Sequence, residues 1–481
     1  MALLVDGTDP RDPLGLRGDA PLLDAYLTAT QDGAAPFTIP GHKRRTDLVG
    51  SVVAGDVPLY GGLDTVRLRS GVLADAEQRA AALWDADVCR FSVGGSTHGN
   101  QALALAVGRP GDAVVVSRTL HRSMLLGLVL AGLEPIWVRP DLDPRTGLPG
   151  GVSADAVRQA LRTRPDARAV LVGDPSYVGG CGDVGALAQA AHERGVPLVV
   201  DAAWGAHHGF HPSLPAHALA QGADAFVTSA HKMLPAYSQA ALVLARTDRL
   251  DADRLDRAVE ATATTSPAGT VLASTDAARA LLAGHGTRLL DQVLRLVTLA
   301  RDRLDGRHGL QVLAGPGTDP ARLVVLLAGT GVSGFDVEER LVAAGVPVEM
   351  ADRDTLVPVV TVADDEGTVG RLVTAVLDSV AGLPAGPPRQ PLPSAAWSVE
   401  APTVLTPRDA FFAPHRTVPA ADAVGRVSAE LVAPYPPGVP VLAPGELVTA
   451  EALDALRTAH AAGARIAYAA DPTLGTLQVV A

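Results

Sequence analysis

Two residues frame the chemistry of this chain: Asp201 and Lys232. Lys232 closes the segment 223–232, where a short apolar strand runs into a polar turn carrying Ser229, His231 and Lys232. Upstream, a second apolar strand, Val196–Val200, ends in Asp201. A strand-end lysine amine can condense with the aldehyde of pyridoxal 5'-phosphate (PLP). A strand-end carboxylate can keep the pyridine nitrogen of that cofactor protonated, so that the ring accepts electrons from a substrate's α-carbon.

Other residues are weighed against that pair. Gly94-Gly95-Ser96-Thr97 precedes a helix, and small residues before a helix N-terminus let an anion approach free N–H groups. Taken alone it reads as an ordinary turn; beside Asp201 and Lys232 it reads as a phosphate site. Ser229 and His231 flank the lysine and could bind phosphate or steer protons. His121 lies just past a strand, where an imidazole could stack on a ring. His207, His208 and His211 are close in sequence, but neither cysteine nor a carboxylate cluster joins them, so no metal is expected. Cys181 reads as a small buried thiol, and the basic run His42–Arg45 as a solvated turn.

The elements that must position these groups follow an α/β rhythm from about residue 74. Strands are expected at Val88–Val93, Ala113–Ser117, Pro135–Val138, Ala169–Gly173, Val196–Val200 and Ala225–Thr228. Helices are expected at Ala74–Trp84, Thr97–Val107, Arg122–Ala131, Ala154–Leu161 and Val184–Arg194. The apolar runs are continuous, as in strands buried on both faces of a mostly parallel sheet. Sites in such sheets lie beyond the carboxyl ends of the strands. After Lys232 a largely helical region is expected, including Ala277–Leu282 and Arg288–Arg303. A smaller αβ unit follows: strand Arg322–Leu327, helix Phe335–Ala344, strands Val346–Met350 and Leu356–Val362, and helix Thr368–Val380. Five prolines in Leu383–Pro393 mark a linker. A Pro-rich C-terminal unit then carries a final helix at Ala450–Ala462.

Composition sets outer bounds. At 481 residues the chain exceeds one ordinary core. A 47% hydrophobic content suits a globular enzyme, and a formal net charge of -12 argues against a nucleic-acid partner. With two cysteines and no CxxC, no disulfide framework is expected. Neither a signal peptide nor a membrane-spanning stretch is read, so a cytoplasmic protein is expected.

Several motifs together resemble one family, the PLP-dependent Orn/Lys/Arg decarboxylases in their shorter form. They are Phe37–Lys43, Val93–Gln101, His121–Ser123, Asp174–Tyr177, Asp201–Trp204, Gly209–Pro212, Ser229–Lys232 and Thr265–Pro267. The C-terminal ones are Pro407–Pro414, Ala429-Glu430, Pro434–Gly438, Pro444–Glu446 and Asp471–Thr473. The resemblance implies an α/β, aminotransferase-like PLP fold type I, with a large domain built on a mostly parallel sheet, a small αβ domain and a C-terminal domain. The divisions expected are an N-terminal segment 1–60, the PLP domain 61–290, the small domain 291–382, the linker 383–393 and the C-terminal domain 394–481.

The resemblance further implies a homodimer, or an assembly of dimers, acting on a small cationic amino acid. Lys232 would carry PLP, Asp201 would pair with the ring nitrogen, His121 would stack on the ring and Ala203 would pack beneath it. Gly95, Ser96, Thr97, Ser229 and His231 would serve the phosphate, and Glu430 would face the distal cation of the substrate. The reaction implied is decarboxylation of arginine, lysine or ornithine, with proton return from Lys232 or His231. Transamination, elimination and non-catalytic PLP binding are the rival readings. Three departures stand out: Ala230 where the family usually has Thr, Gly269 where it often has an aromatic, and the segment Leu63–Arg69 where it is richer in His.

Overall fold

The computed structural model describes residues 9–31, 37–58, 71–390, 399–435 and 438–481. The segment Leu63–Arg69, the end of the Pro-rich linker and Pro436-Pro437 lie outside the described residues. Among the described residues no helix is long and apolar enough to cross a membrane.

The central element is a seven-stranded sheet. Its strands in chain order are β1 (Val88–Ser92), β2 (Ala113–Ser117), β3 (Glu134–Val138), β4 (Val170–Gly173), β5 (Leu198–Asp201), β6 (Ala225–Ser229) and β7 (Ala241–Ala245). Their order across the sheet is β1-β7-β6-β5-β4-β2-β3. Every pairing is parallel except the two that β7 makes, so β7 alone runs against the others. β2, β5, β6 and β7 are buried along their whole length, as the unbroken apolar runs require.

Successive side chains of a strand point to opposite faces, and this divides the interior in two. Val115, Val170, Val200, Phe226 and Leu244 enter one core, while Val116, Leu171, Val199, Val227 and Val243 enter the other. Helices α1 (Val72–Leu83), α2 (Gly95–Val107), α3 (Arg122–Ala131), α4 (Ala154–Thr163), α5 (Val184–His192) and α6 (Ala252–Thr262) cover the two faces. The second face is sealed by α2, α3 and α6, through Leu103, Leu125, Leu128 and Leu255.

β7 is a correction to the expected helical region after Lys232. Its alanines and leucines carry no alternation, and only pairing with both neighbours makes the run Ala241–Ala245 a strand. A second correction concerns α7, a single helix of 36 residues, Gly269–Leu304, where two separate helices were expected. Gly284 and Gly286 lie inside it. Each costs roughly 1 kcal/mol of helix propensity, and the buried row Leu282, Leu289, Leu290, Val293 and Leu296 outweighs that.

The small unit is a four-stranded antiparallel sheet with two helices, α8 (Gly334–Ala343) and α9 (Glu366–Ala381). Its strands are shorter than expected, pairing at Val325–Leu326, Met350–Ala351 and Thr355–Val357, and residues beside the first of them form a seam with the large unit. At that seam Asp319 Oδ2 accepts from Nε2 of His207 (2.9 Å) and of His208 (3.3 Å). Burial alone would raise the Asp319 carboxyl, but the two imidazoles hold it well below the usual carboxylate range. Arg322 stacks on Trp204 and donates to the Tyr177 carbonyl. The C-terminal unit has its own core around Val432, Leu442, Leu453 and Leu477. Two short antiparallel ladders there, 415–419 with 476–480 and 433–435 with 465–467, were not legible beside so many prolines.

Asp174 lies in the same seam, and its Oδ2 accepts from the Gly182 amide. Burial, countered by that amide, pushes its carboxyl up to about 6. The folded state therefore holds a proton that the unfolded chain has released between pH ~4 and ~6, and stability from this group falls as pH rises through that window. Asp174→Asn keeps an acceptor for Gly182 and removes the charge. Its thermal midpoint should exceed the parent's at pH 7, by up to about 3 kcal/mol in stability, and the difference should shrink toward pH 4. Thermal melts at the two pH values check this; an equal or lower midpoint at pH 7 would contradict it.

Candidate active site

Six of the parallel or adjoining strand ends open onto one cavity of about 550 Å³. Gly94–Thr97 follow β1, Thr119 and His121 follow β2, and Gly173 and Pro175–Tyr177 end and follow β4. Asp201, Ala203 and Trp204 end and follow β5, Ser229, His231 and Lys232 end and follow β6, and Ser238 and Gln239 precede β7. Nine of the ten expected site residues therefore meet in one place: Gly95, Ser96, Thr97, His121, Asp201, Ala203, Ser229, His231 and Lys232.

At one end the cavity offers an anion cradle. Helix α2 begins at Gly95, two residues earlier than expected, so the Gly-Ser turn is its first turn. Gly95 has φ 67°, a conformation that glycine adopts freely, and no side chain caps the helix. Its amide donates to the Gln239 carbonyl (2.9 Å), which fixes the turn against the turn leading into β7. The next first-turn amides are open to an anion. Ser96 Oγ and Ser229 Oγ lie 2.7 Å apart and join β6 to this cradle.

Asp201 forms another wall. Its Oδ2 accepts from Asn100 Nδ2 (2.7 Å) and its Oδ1 from the Ala203 amide (3.2 Å). Lys232 Nζ sits 4.2 Å from the centroid of the Trp204 ring. Burial pulls the Lys232 amine below its ordinary range, while Asp201 and Glu349 pull it back up. The amine is thus more available as a nucleophile than a solvated lysine. Burial also lowers His231, whose Nδ1 lies 2.8 Å from the Ala240 carbonyl. A carbonyl only accepts, so Nδ1 carries the proton and Nε2 is the free base.

Glu430 does not join this group. It is buried in the C-terminal unit, where its carboxylate accepts from the amides of Ala470 and Gln478 (both 2.7 Å) and ties two segments together. Besides Asp201, the carboxylate that lines the cavity among the described residues is Glu349, at the entry to the small sheet, and it accepts from the Tyr177 hydroxyl (2.9 Å). Tyr177 meets Trp204 edge to face at 5.2 Å. Tyr435, Gly438, Val439 and Tyr468 of the C-terminal unit complete the wall. Reading the sequence missed Glu349, Trp204, Asn100 and the two C-terminal tyrosines. A weak signal existed for Glu349, an acid inside an otherwise apolar strand run.

Two departures have physical settings. A Cβ on Gly269 would stand 2.6 Å from the Val57 carbonyl oxygen, and the Gly269 amide donates to that same oxygen. The close passage of segment 54–58 therefore excludes a larger side chain at this position. Ala230 is buried at the start of the turn bearing Lys232, directed into the core and away from the cavity lining.

Comparison with known proteins accords with this arrangement. The Orn/Lys/Arg decarboxylase major-domain profile matches residues 20–317, and the family's C-terminal-domain profile matches residues 393–466. A protein of Halalkalibacterium halodurans named arginine decarboxylase is 32% identical over 478 residues, covering 96% of this chain and 97% of its own. The Bacillus subtilis arginine decarboxylase is 31% identical over 465 residues, covering 92% and 94%. Among solved structures, lysine decarboxylase A from Pseudomonas aeruginosa superposes with a TM-score of 0.81 at 20% identity, covering 97% of this chain and 81% of that one. With the strand order, the cavity at the strand ends and a match along nearly its full length, the chain belongs to the Orn/Lys/Arg decarboxylase family.

Proposed function

We propose that this chain binds PLP in the cavity and decarboxylates a basic L-amino acid, with arginine favoured over lysine and ornithine. One observation carries the reading: a single cavity holds an uncapped helix N-terminus, the carboxylate of Asp201, the half-buried amine of Lys232 and the carboxylate of Glu349. The cradle suits a phosphate, since Ser96, Thr97 and Ser229 add hydroxyls to open amides and, among the described residues, no acidic side chain lines that end. The relatives named arginine decarboxylases, matched over more than nine-tenths of the chain, support the guanidinium substrate.

Bound there, the cofactor supplies a ring that takes up the electron pair left on the α-carbon as CO2 departs. Lys232 binds the cofactor's aldehyde carbon. Asp201, fixed by Asn100 and the Ala203 amide, holds a proton on the ring nitrogen. Gly95, Ser96, Thr97, Ser229 and His231 grip the phosphate end, and His121 and Ala203 flank the ring. Lys232 Nζ or His231 Nε2 returns a proton to the α-carbon. Glu349, oriented by Tyr177, pairs with the distal cation, while Trp204, Tyr435 and Tyr468 keep bulk water out. Among the described residues lining the cavity there is no arginine to clamp an α-carboxylate in the ring plane, which weighs against transamination.

The same reading takes the protein as a cytoplasmic homodimer. Phe37, Leu48, Val49 and Val52 are exposed in the single chain, and segment 54–58 beside them is anchored at the start of α7. A second copy would cover these side chains.

The assay is direct: protein with PLP, offered arginine, lysine and ornithine, with amine and CO2 measured. Borohydride reduction should fix the cofactor on Lys232, and a label on another lysine would refute that role. Asp201→Asn should retain the fold and lose about a hundredfold in kcat, on the order of 3 kcal/mol, for loss of a preorganised charge. Glu349→Gln should raise KM for the best substrate about tenfold or more. Glu430→Gln, in contrast, should lower the thermal midpoint and leave KM alone; a raised KM with Glu430→Gln and none with Glu349→Gln would reverse the assignment.

A further inference from the structure

Asp201 belongs to a chain of hydrogen bonds that ends on His121. Asn100, on α2, is fully buried, and its Nδ2 lies 2.7 Å from Asp201 Oδ2 and 2.8 Å from Ser123 Oγ. Ser123 Oγ in turn lies 2.8 Å from His121 Nδ1. The direction of the chain is fixed at both ends. A carboxylate can only accept, so the Asn100 amide nitrogen must face Asp201, and among the described residues Asn100 Oδ1 has no partner. At the other end the Ser123 backbone N–H reaches His121 Nδ1 (3.2 Å), and a backbone amide can only donate. His121 Nδ1 is therefore an acceptor. The Ser123 hydroxyl, already accepting from Asn100, turns its proton onto the same nitrogen.

We propose that Asn100 is a positioning residue that holds Asp201 and, through Ser123, locks His121 as the neutral tautomer protonated on Nε2. The proposal rests on the PLP reading for its purpose. Asp201 must stay anionic to keep a proton on the cofactor's ring nitrogen, and a cationic His121 against that ring would place two positive charges face to face. Desolvation within the cavity, with Lys232 and Arg122 nearby, lowers His121 in the same sense. The two imidazoles of the cavity then differ by design: His121 presents a donor at Nε2, and His231, with its proton on Nδ1, presents a base there.

The tautomer can be read with or without cofactor. Full-length protein carrying 15N in its histidine rings, with His121→Gln to assign the signals, should show His121 bare at Nδ1 and protonated at Nε2 near neutral pH. Asn100→Leu removes the donor that orients the Ser123 hydroxyl and leaves only the longer Ser123 amide contact (3.2 Å) to hold Nδ1 as an acceptor, so a minor population of His121 protonated on Nδ1 should appear although the altered residue does not touch the ring. The same variant should weaken PLP binding about tenfold, measured by titrating the visible absorption band. If the leucine prevents folding, Asn100→Ser removes the double donor with less bulk and should give the same two changes. A protonated Nδ1 in the unaltered protein overturns the proposal. So does an unchanged His121 spectrum in a folded Asn100 variant. Failure of the unaltered protein to bind PLP would instead overturn the functional reading, while the cofactor-free spectrum would still decide the tautomer.

Discussion

The site depends on the register of three strands. Ala241, the first residue of β7, lies opposite Ser92 of β1 on one side and Ser229 of β6 on the other. That alignment brings the turn after β1, the lysine turn after β6 and the approach to β7 to one edge of the sheet. The Gly95 amide, the Ser96–Ser229 contact and the His231–Ala240 contact all follow from it. A slip of one residue would invert every side chain of the strand and send Val243 into the wrong core. Burial on both faces makes such a slip costly.

How much of this was legible in the sequence follows from the range of the interactions. Lys232, Asp201 and the Gly-Ser turn could be read because each sits at the end of an apolar run and carries its own local signal. The parallel strands and their helices could be read for the same reason, to within a few residues. β7 could not, because its run becomes a strand only by pairing with β1 and β6. The 36-residue helix could not, because its glycines signal a break that tertiary packing overrides. Glu349 and Tyr468 come from distant segments, and only the folded chain sets them beside Lys232. Glu430 misled for another reason. Its role came from the family resemblance and not from a local signal, and two backbone amides claim its oxygens.

The cavity gathers charge with few exposed partners. Lys232 and Arg322 both lie against Trp204, at 4.2 and 4.3 Å from its ring. The indole supplies a polarisable surface where a carboxylate would have quenched the amine. Asp319 performs the complementary task nearby, gathering two imidazoles on one oxygen. Lys232 thus rests on the indole face, and burial outweighs the pull of Asp201 and Glu349 on its amine.

Helix α7 carries a different implication. It starts at Gly269, against the backbone of Val57, and ends at Leu304, seven residues before the small sheet begins at Gln311. At 1.5 Å per residue it is roughly 54 Å long. The two units are therefore joined by a rod in place of a hinge loop. Its buried face, from Val271 to Leu304, enters the same core as Val325, Leu341 and Val376 of the small unit, so a change of packing along the rod reaches both units at once.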